Sequence, residues 1–181
     1  EIERFTGMED RTLLAESDQY VHSLLDYLEG ASGLERLSVA GSYRRRKETV
    51  GDIDILAITS ADPEQIMSRF TGYERVDEVV SSGVTRGTIR LDSGLQVDMR
   101  ILEPKSYGAA LLYFTGSKAH NVHLRKLAQK RDLRISEYGV FDISAADAEI
   151  DEGDPWAGEF IAGQTEEAVY DQIDLPWISP E

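Results

Sequence analysis

Gly41-Ser42-Tyr43-Arg44-Arg45-Arg46-Lys47-Glu48-Thr49-Val50-Gly51-Asp52-Ile53-Asp54-Ile55-Leu56 sets four consecutive cations a few residues ahead of two carboxylates that flank one isoleucine. The run from Ile53 to Ile58 is apolar apart from Asp54 and reads as a strand. Side chains two apart on a strand share a face, so Asp52 and Asp54 stand together while Ile53 and Ile55 point into a core. Two neighbouring anions repel, and a cation relieves the repulsion. Carboxylate oxygens are hard ligands that suit Mg²⁺ or Mn²⁺. On its own, an Asp-x-Asp at a strand start is ordinarily a turn or a solvated edge, so its neighbours have to carry the reading.

A third carboxylate lies in Leu95-Gln96-Val97-Asp98-Met99-Arg100-Ile101. Here Val97, Met99 and Ile101 share one face, and Gln96, Asp98 and Arg100 the other. If this strand neighbours the first, Asp52, Asp54 and Asp98 converge and could hold two divalent ions, as in-line phosphoryl displacement requires. The basic side then has a purpose. Gly41 and Ser42 sit at a strand-to-helix turn whose free amides favour phosphate, and Arg45 can grip a phosphate through two parallel hydrogen bonds. The two signs of charge suit two parts of one nucleotide–metal complex.

The rest of the chain frames this site. It has 181 residues, 41% of them hydrophobic, enough for one sizeable core or two small ones. There is no cysteine, hence no disulfide and no thiolate metal site. Neither a membrane-spanning run nor a signal peptide is visible, so we expect a cytoplasmic protein. The chain opens on Glu1, which suggests a piece of something longer. Net charge is −15, which argues against a polyanion binder, but the charge is unevenly spread. Residues 105–134 hold seven cations against one acid, Asp132; residues 135–181 hold thirteen acids and no Lys or Arg.

Apolar spacing predicts a helix over residues 10–30 stopped by Gly30, a strand through Leu37 and Val39, and a helix from Asp62-Pro63 to Phe70. Thr88–Leu91 and Leu95–Ile101 read as a hairpin turning at Asp92-Ser93-Gly94. Pro104 marks a break. Beyond it come a helix over 105–114, a turn at Thr115-Gly116-Ser117, a helix capped by Ser117 through Arg131, strand-like pieces at Val140-Phe141 and Glu159–Ile161, and a short helix capped by Thr165.

GSYRRRKETVGDID closely resembles the nucleotidyltransferase motif of family X DNA polymerases, and Tyr113-Phe114-Thr115-Gly116-Ser117 resembles the YFTGS segment of that family. Ile135–Phe141, Thr165-Glu166-Glu167 and Leu175-Pro176-Trp177-Ile178 resemble later segments of its bacterial members. The likeness covers roughly residues 36–178. It implies an α+β fold: a nucleotidyltransferase palm, a mixed β-sheet with flanking helices, followed by a smaller, mainly helical thumb subdomain. Residues 1–103 would be the end of the fingers and the palm, and 104–181 the thumb.

The resemblance also implies roles. Asp52, Asp54 and Asp98 would ligate two Mg²⁺ or Mn²⁺ ions, with Asp98 beside the primer 3′-hydroxyl. Gly41, Ser42, Arg45 and Gly51 would meet the dNTP triphosphate. Tyr113, Phe114 and Gly116 would line the deoxyribose, and Asn121 would reach the nascent base pair. Lys118, Arg125, Lys126 and Lys130 would contact primer-template or gapped DNA. Two positions depart from the family pattern: Lys118 in place of an acid, and Gln96 in place of an arginine. His120 and His123 are read as surface or DNA-facing rather than as a metal pair.

The function implied is a monomeric repair polymerase core that adds dNMP to a primer. A binding module inactive without further domains, and a nucleotidyltransferase with a different acceptor, are the alternatives.

Overall fold

The computed structural model describes residues 11–144 and 158–180. Residues 1–10, 145–157 and 181 lie outside the described residues, and with them the first part of the fingers-and-palm unit expected over 1–103 and much of the acid-rich stretch at 135–181.

The first unit is a sheet with helices on one face. Strand β1 (Thr12–Leu13) leads into helix α1 (Leu14–Glu29), followed by β2 (Leu34–Val39), a single turn α2 (Gly41–Arg44), β3 (Thr49–Val50), β4 (Asp52–Thr59), α3 (Pro63–Thr71), β5 (Val76–Ser82), β6 (Arg86–Leu91) and β7 (Gln96–Ile101). The main sheet has the order β2-β4-β7-β6-β5, and β1 pairs separately with β3. Only β4 and β7 run parallel; the other pairs are antiparallel.

Local chemistry explains these elements. Helix α1 carries Val21, Leu24 and Leu28 at helical spacing, all buried, and ends at Gly30. In α3, the Asp62 side chain accepts from the Glu64 amide and Pro63 opens the helix. Both helices cover the sheet face formed by Ile53, Ile55, Ile89, Val97 and Met99. Strand β5 was not foreseen. Val76-Asp77-Glu78-Val79-Val80 lacks alternation because this edge strand is largely exposed, with Val79 and Val80 nearly half open to solvent.

A short 3₁₀ turn at Pro104–Ser106 leads to α4 (Tyr107–Thr115), α5 (Lys118–Gln129), β8 (Leu133–Ser136), β9 (Gly139–Asp142), β10 (Glu159–Ala162) and α6 (Glu166–Asp171). Ser117 and Thr165 cap α5 and α6 as expected. This unit is less helical than the sequence suggests. Two strand-like pieces join Leu133–Ser136 in a three-stranded antiparallel sheet, order β10-β9-β8. Leu133 and Ile135 were missed because they follow directly on a helical pattern.

Helix α4 belongs to two of the three apolar clusters among the described residues. Its Ala109 and Leu112 pack with Leu124, Val140 and Val169, whereas its Tyr107 and Ala110 pack on Ala40, Leu56 and Ile58 of the first unit. Gly108 makes this possible: a Cβ there would lie 2.1 Å from the Thr165 backbone. No helix among the described residues is long and apolar enough to cross a membrane.

Candidate active site

The sheet face opposite α1 and α3 splits in two. Along β4 it presents Asp52 and Asp54, then Leu56 and Ile58, which α4 covers. The carboxylates are left at the uncovered end, Asp52 exposed and Asp54 half-buried. The parallel register sets Asp54 beside Asp98 and Asp52 beside Gln96. The three acids therefore share one face of two adjacent strands.

Their charges feel one another. The Asp54 carboxyl is pushed up to about 7, first by burial, then by the Asp52 and Asp98 carboxylates, against opposing pulls from Arg100 and Arg45. Asp98 is held from both sides: Thr88 Oγ1 donates to one oxygen at 2.5 Å and Gln96 Nε2 to the other at 3.0 Å. Gln96 thus steadies the third carboxylate by a neutral contact.

As donors, three carboxylates crowded on one face suit a hard divalent cation, which would relieve the repulsion that raises Asp54. They are not a finished cage. Among the described residues, no three acidic, histidine or cysteine side chains stand ready to hold a metal ion. Each Asp98 oxygen accepts one hydrogen bond, from Thr88 or Gln96, and keeps a lone pair with which to ligate.

Gly41 matters for the same reason. It has φ +66°, and a Cβ there would lie 2.6 Å from Asp54 Oδ2. Only glycine lets α2 start against that carboxylate.

Above the acids opens a cleft of about 510 Å³. Gly41, Ser42, Arg45, Asp52 and Asp54 form one wall; Tyr113, Phe114, Gly116, Lys118, Asn121 and Arg125 form the other. Of the residues the motifs singled out, Asp98 and Gly51 do not line this cleft; Asp98 lies beside Asp54 on the neighbouring strand. Phe114 stacks edge-on against Tyr113, with Arg100 over its ring at 4.3 Å, and Arg125 lies 5.3 Å over Tyr113. Asn121 Nδ2 donates to the Tyr113 carbonyl at 2.7 Å, tying α5 to α4.

Arg45 does not point its guanidinium freely into the cleft. Its Nη1 donates to the Thr115 carbonyl, and its Nε is buried without a partner among the described residues. Arg44 is also engaged, donating to both Glu166 oxygens at 2.6 and 2.7 Å and to Thr115 Oγ1 at 2.8 Å. Lys126 and Lys130 do not line this cleft; they lie with His123 on another face of α5. His120 Nε2 pairs with the Tyr170 hydroxyl at 2.7 Å, so this histidine braces α5 against α6.

Sequence reasoning missed Arg11. It lines the cleft beside Gly51, held by Thr49 through Nε to Oγ1 at 3.0 Å and Nη2 to the carbonyl at 2.6 Å. No local pattern marks it; the pairing of Thr12 with Val50 brings it there. Glu166, which holds Arg44, was missed for the same reason; Thr88, which holds Asp98, was missed because only the hairpin register sets it opposite that acid.

Residues 14–92 match the family described as DNA polymerase beta palm, and residues 110–181 the one described as DNA polymerase beta thumb. The chain is 31% identical over 158 residues to the DNA polymerase/3′-5′ exonuclease PolX of Bacillus subtilis (strain 168), which covers 86% of this chain and 25% of that protein. It is 31% identical to the DNA polymerase lambda of Rattus norvegicus (77% of this chain, 27% of that protein). Against the DNA polymerase lambda of Arabidopsis thaliana the identity is 26% (77% and 30%). The chain spans about a quarter of the length of these relatives.

Proposed function

Because the chain belongs to the DNA polymerase beta-like polymerases of family X, as their palm and thumb, we propose that it is a polymerase core adding dNMP to a primer 3′-hydroxyl in gap filling. The observation that carries this reading is the parallel pairing of β4 with β7, which sets Asp54 beside Asp98 under a cleft walled by cations.

Asp52, Asp54 and Asp98 would hold two Mg²⁺ or Mn²⁺ ions, which when bound lower the pKa of a ligated hydroxyl and neutralise charge on a leaving pyrophosphate. The chain's own residues do the rest. Ser42, the amides at the start of α2, Arg11 and Arg45 form the phosphate end of the cleft. Arg45 exchanges its Thr115 carbonyl for phosphate when a triphosphate enters, which gives its unpartnered Nε an acceptor as well. Gly51 leaves room for that end beside Arg11. Tyr113, Phe114 and Gly116 line the sugar, Asn121 reaches the base pair, and Lys118 and Arg125 meet the template strand. Asp98, steadied by Thr88 and Gln96, sits where it accepts the primer proton.

Asp98→Asn tests the reading in primer extension on gapped DNA with Mn²⁺. Incorporation is abolished while dNTP binding is nearly intact. Wild-type extension by this variant overturns the assignment.

A second reading rests on the span of the chain, about a quarter of its relatives. The same fold would then bind nucleotide and DNA but turn over only within a longer protein. Binding of dNTP without extension by the wild-type chain selects it. An acceptor other than DNA is disfavoured by the sugar-facing segment from Tyr113 to Gly116.

A further inference from the structure

Strand β6 contributes no acid to the site, yet one of its side chains reaches it. Gly87 and Ile89 are buried toward the core, with Met67 of α3 against Gly87. Thr88, between them, points to the opposite face of the sheet, the one that carries Asp52, Asp54 and Asp98. A strand packed on a helix holds its side chains in place, and the branched Cβ of threonine narrows their choice of rotamer further.

Asp98 has unlike neighbours on its two sides, because β7 lies between β4 and β6. From β4 comes Asp54, a second acid in the same row. From β6 comes Thr88, directly opposite Asp98 in the antiparallel register. Thr88 Oγ1 donates to one Asp98 oxygen at 2.5 Å, and Gln96 Nε2, from the same strand as Asp98, donates to the other at 3.0 Å. Of these two donors the stiff, half-buried threonine is the better fixed; the glutamine has more torsions with which to wander. The threonine bond also lies on the side away from Asp54, so it anchors Asp98 against the repulsion between the two carboxylates.

We infer that Thr88 is a positioning residue of the reaction: its hydroxyl aims the Asp98 carboxylate at the primer 3′-hydroxyl. The inference rests on the polymerase reading and deepens it, since it makes the β6–β7 hairpin register part of the working site. Thr88 does not line the cleft that takes the nucleotide, and acts only through Asp98. Removing its hydroxyl therefore slows the step that uses Asp98 and leaves dNTP affinity as it was.

The test is single-turnover extension of gapped DNA by the full chain with Mn²⁺, which separates rate from dNTP affinity. Thr88→Val keeps the branched shape without the hydroxyl, Thr88→Ala removes both, and Thr88→Ser keeps the hydroxyl alone. Thermal melts are the folding control, and either hydroxyl-free variant suffices if the other melts early. The rate falls on the order of 10²-fold in Thr88→Val and Thr88→Ala, the scale of a reacting group misplaced by about 1 Å, with dNTP affinity unchanged. Thr88→Ser recovers most of the rate. With wild type extending normally, three results overturn the role of Thr88 alone: a wild-type rate without the hydroxyl, a loss in Thr88→Ser equal to that in Thr88→Val, or a loss confined to dNTP affinity. A wild-type chain that binds dNTP without extending the primer overturns the polymerase reading, and this inference with it.

Discussion

At the scale of single residues, the acid cluster sets the pH behaviour. Asp54 titrates near 7 in the fold against about 4 for a free carboxyl. Across that window the native state holds a proton that the unfolded chain releases, so the contribution of Asp54 to stability is full below pH 4 and lost as pH rises through 7. Asp54→Asn stays neutral. At pH 8, without metal, it unfolds above wild type by on the order of 1–2 kcal/mol, roughly 2–8 °C, and the difference vanishes at pH 4. Adding Mn²⁺ at pH 8 reverses the order by stabilising wild type alone. Thermal melts at the two pH values check this; a variant that melts below wild type at pH 8 without metal contradicts it.

Gly41 is governed by sterics rather than charge. Gly41→Ala meets both the positive φ and Asp54 Oδ2, and extension falls at least tenfold. The sequence made the acids and glycines legible because each sits inside one short motif. Arg11 and Glu166 were illegible because their significance comes from distant partners, and Thr88 because it needs the register of the β6–β7 hairpin, which sets it opposite Asp98.

At the scale of elements, α2 is fastened from the far end of the chain. Glu166 on α6 is buried and takes Arg44 with both oxygens, while Trp177 Nε1 donates to Glu166 Oε2 at 3.2 Å. Removing one member of a buried pair leaves the other charge stranded, at a cost of about 3–5 kcal/mol. Glu166→Gln therefore destabilises by that order, and Glu166→Gln/Arg44→Gln by less than the sum of the single changes. A double-mutant cycle in urea measures the coupling; additive effects would mean that the pair is not acting as a unit.

Most helices and the β6–β7 hairpin were readable from caps, periodicity and the Asp-Ser-Gly turn. Exposed β5 was not, because it lacks the alternation of a half-buried strand, and β8 was not, because its four residues follow directly on the helical pattern of α5.

At the scale of the molecule, α4 is shared by the core of the second unit and the cluster on the other face of the main sheet, whose strands also carry the largest core, so the units unfold together. Tyr107 and Ala110 close one, Ala109 and Leu112 the other, and Gly108 locks the helix to the start of α6. Calorimetry of the chain should give one transition, with van't Hoff and calorimetric enthalpies equal. Two separated transitions would mean that α4 follows only one of its partners. The overall order of sheet strands followed by helices could be read in advance. The third strand of the smaller sheet and the sharing of α4 could not, since both depend on packing between segments far apart in sequence.

The pairing of β4 with β7 has a temporal meaning too. All of α3, β5 and β6 lies between these strands in the chain, so Asp54 and Asp98 meet only after the intervening segments have folded back. Until β7 docks, a newly made or partly melted molecule offers only the two neighbouring acids of β4, and the third donor joins them when that pairing closes.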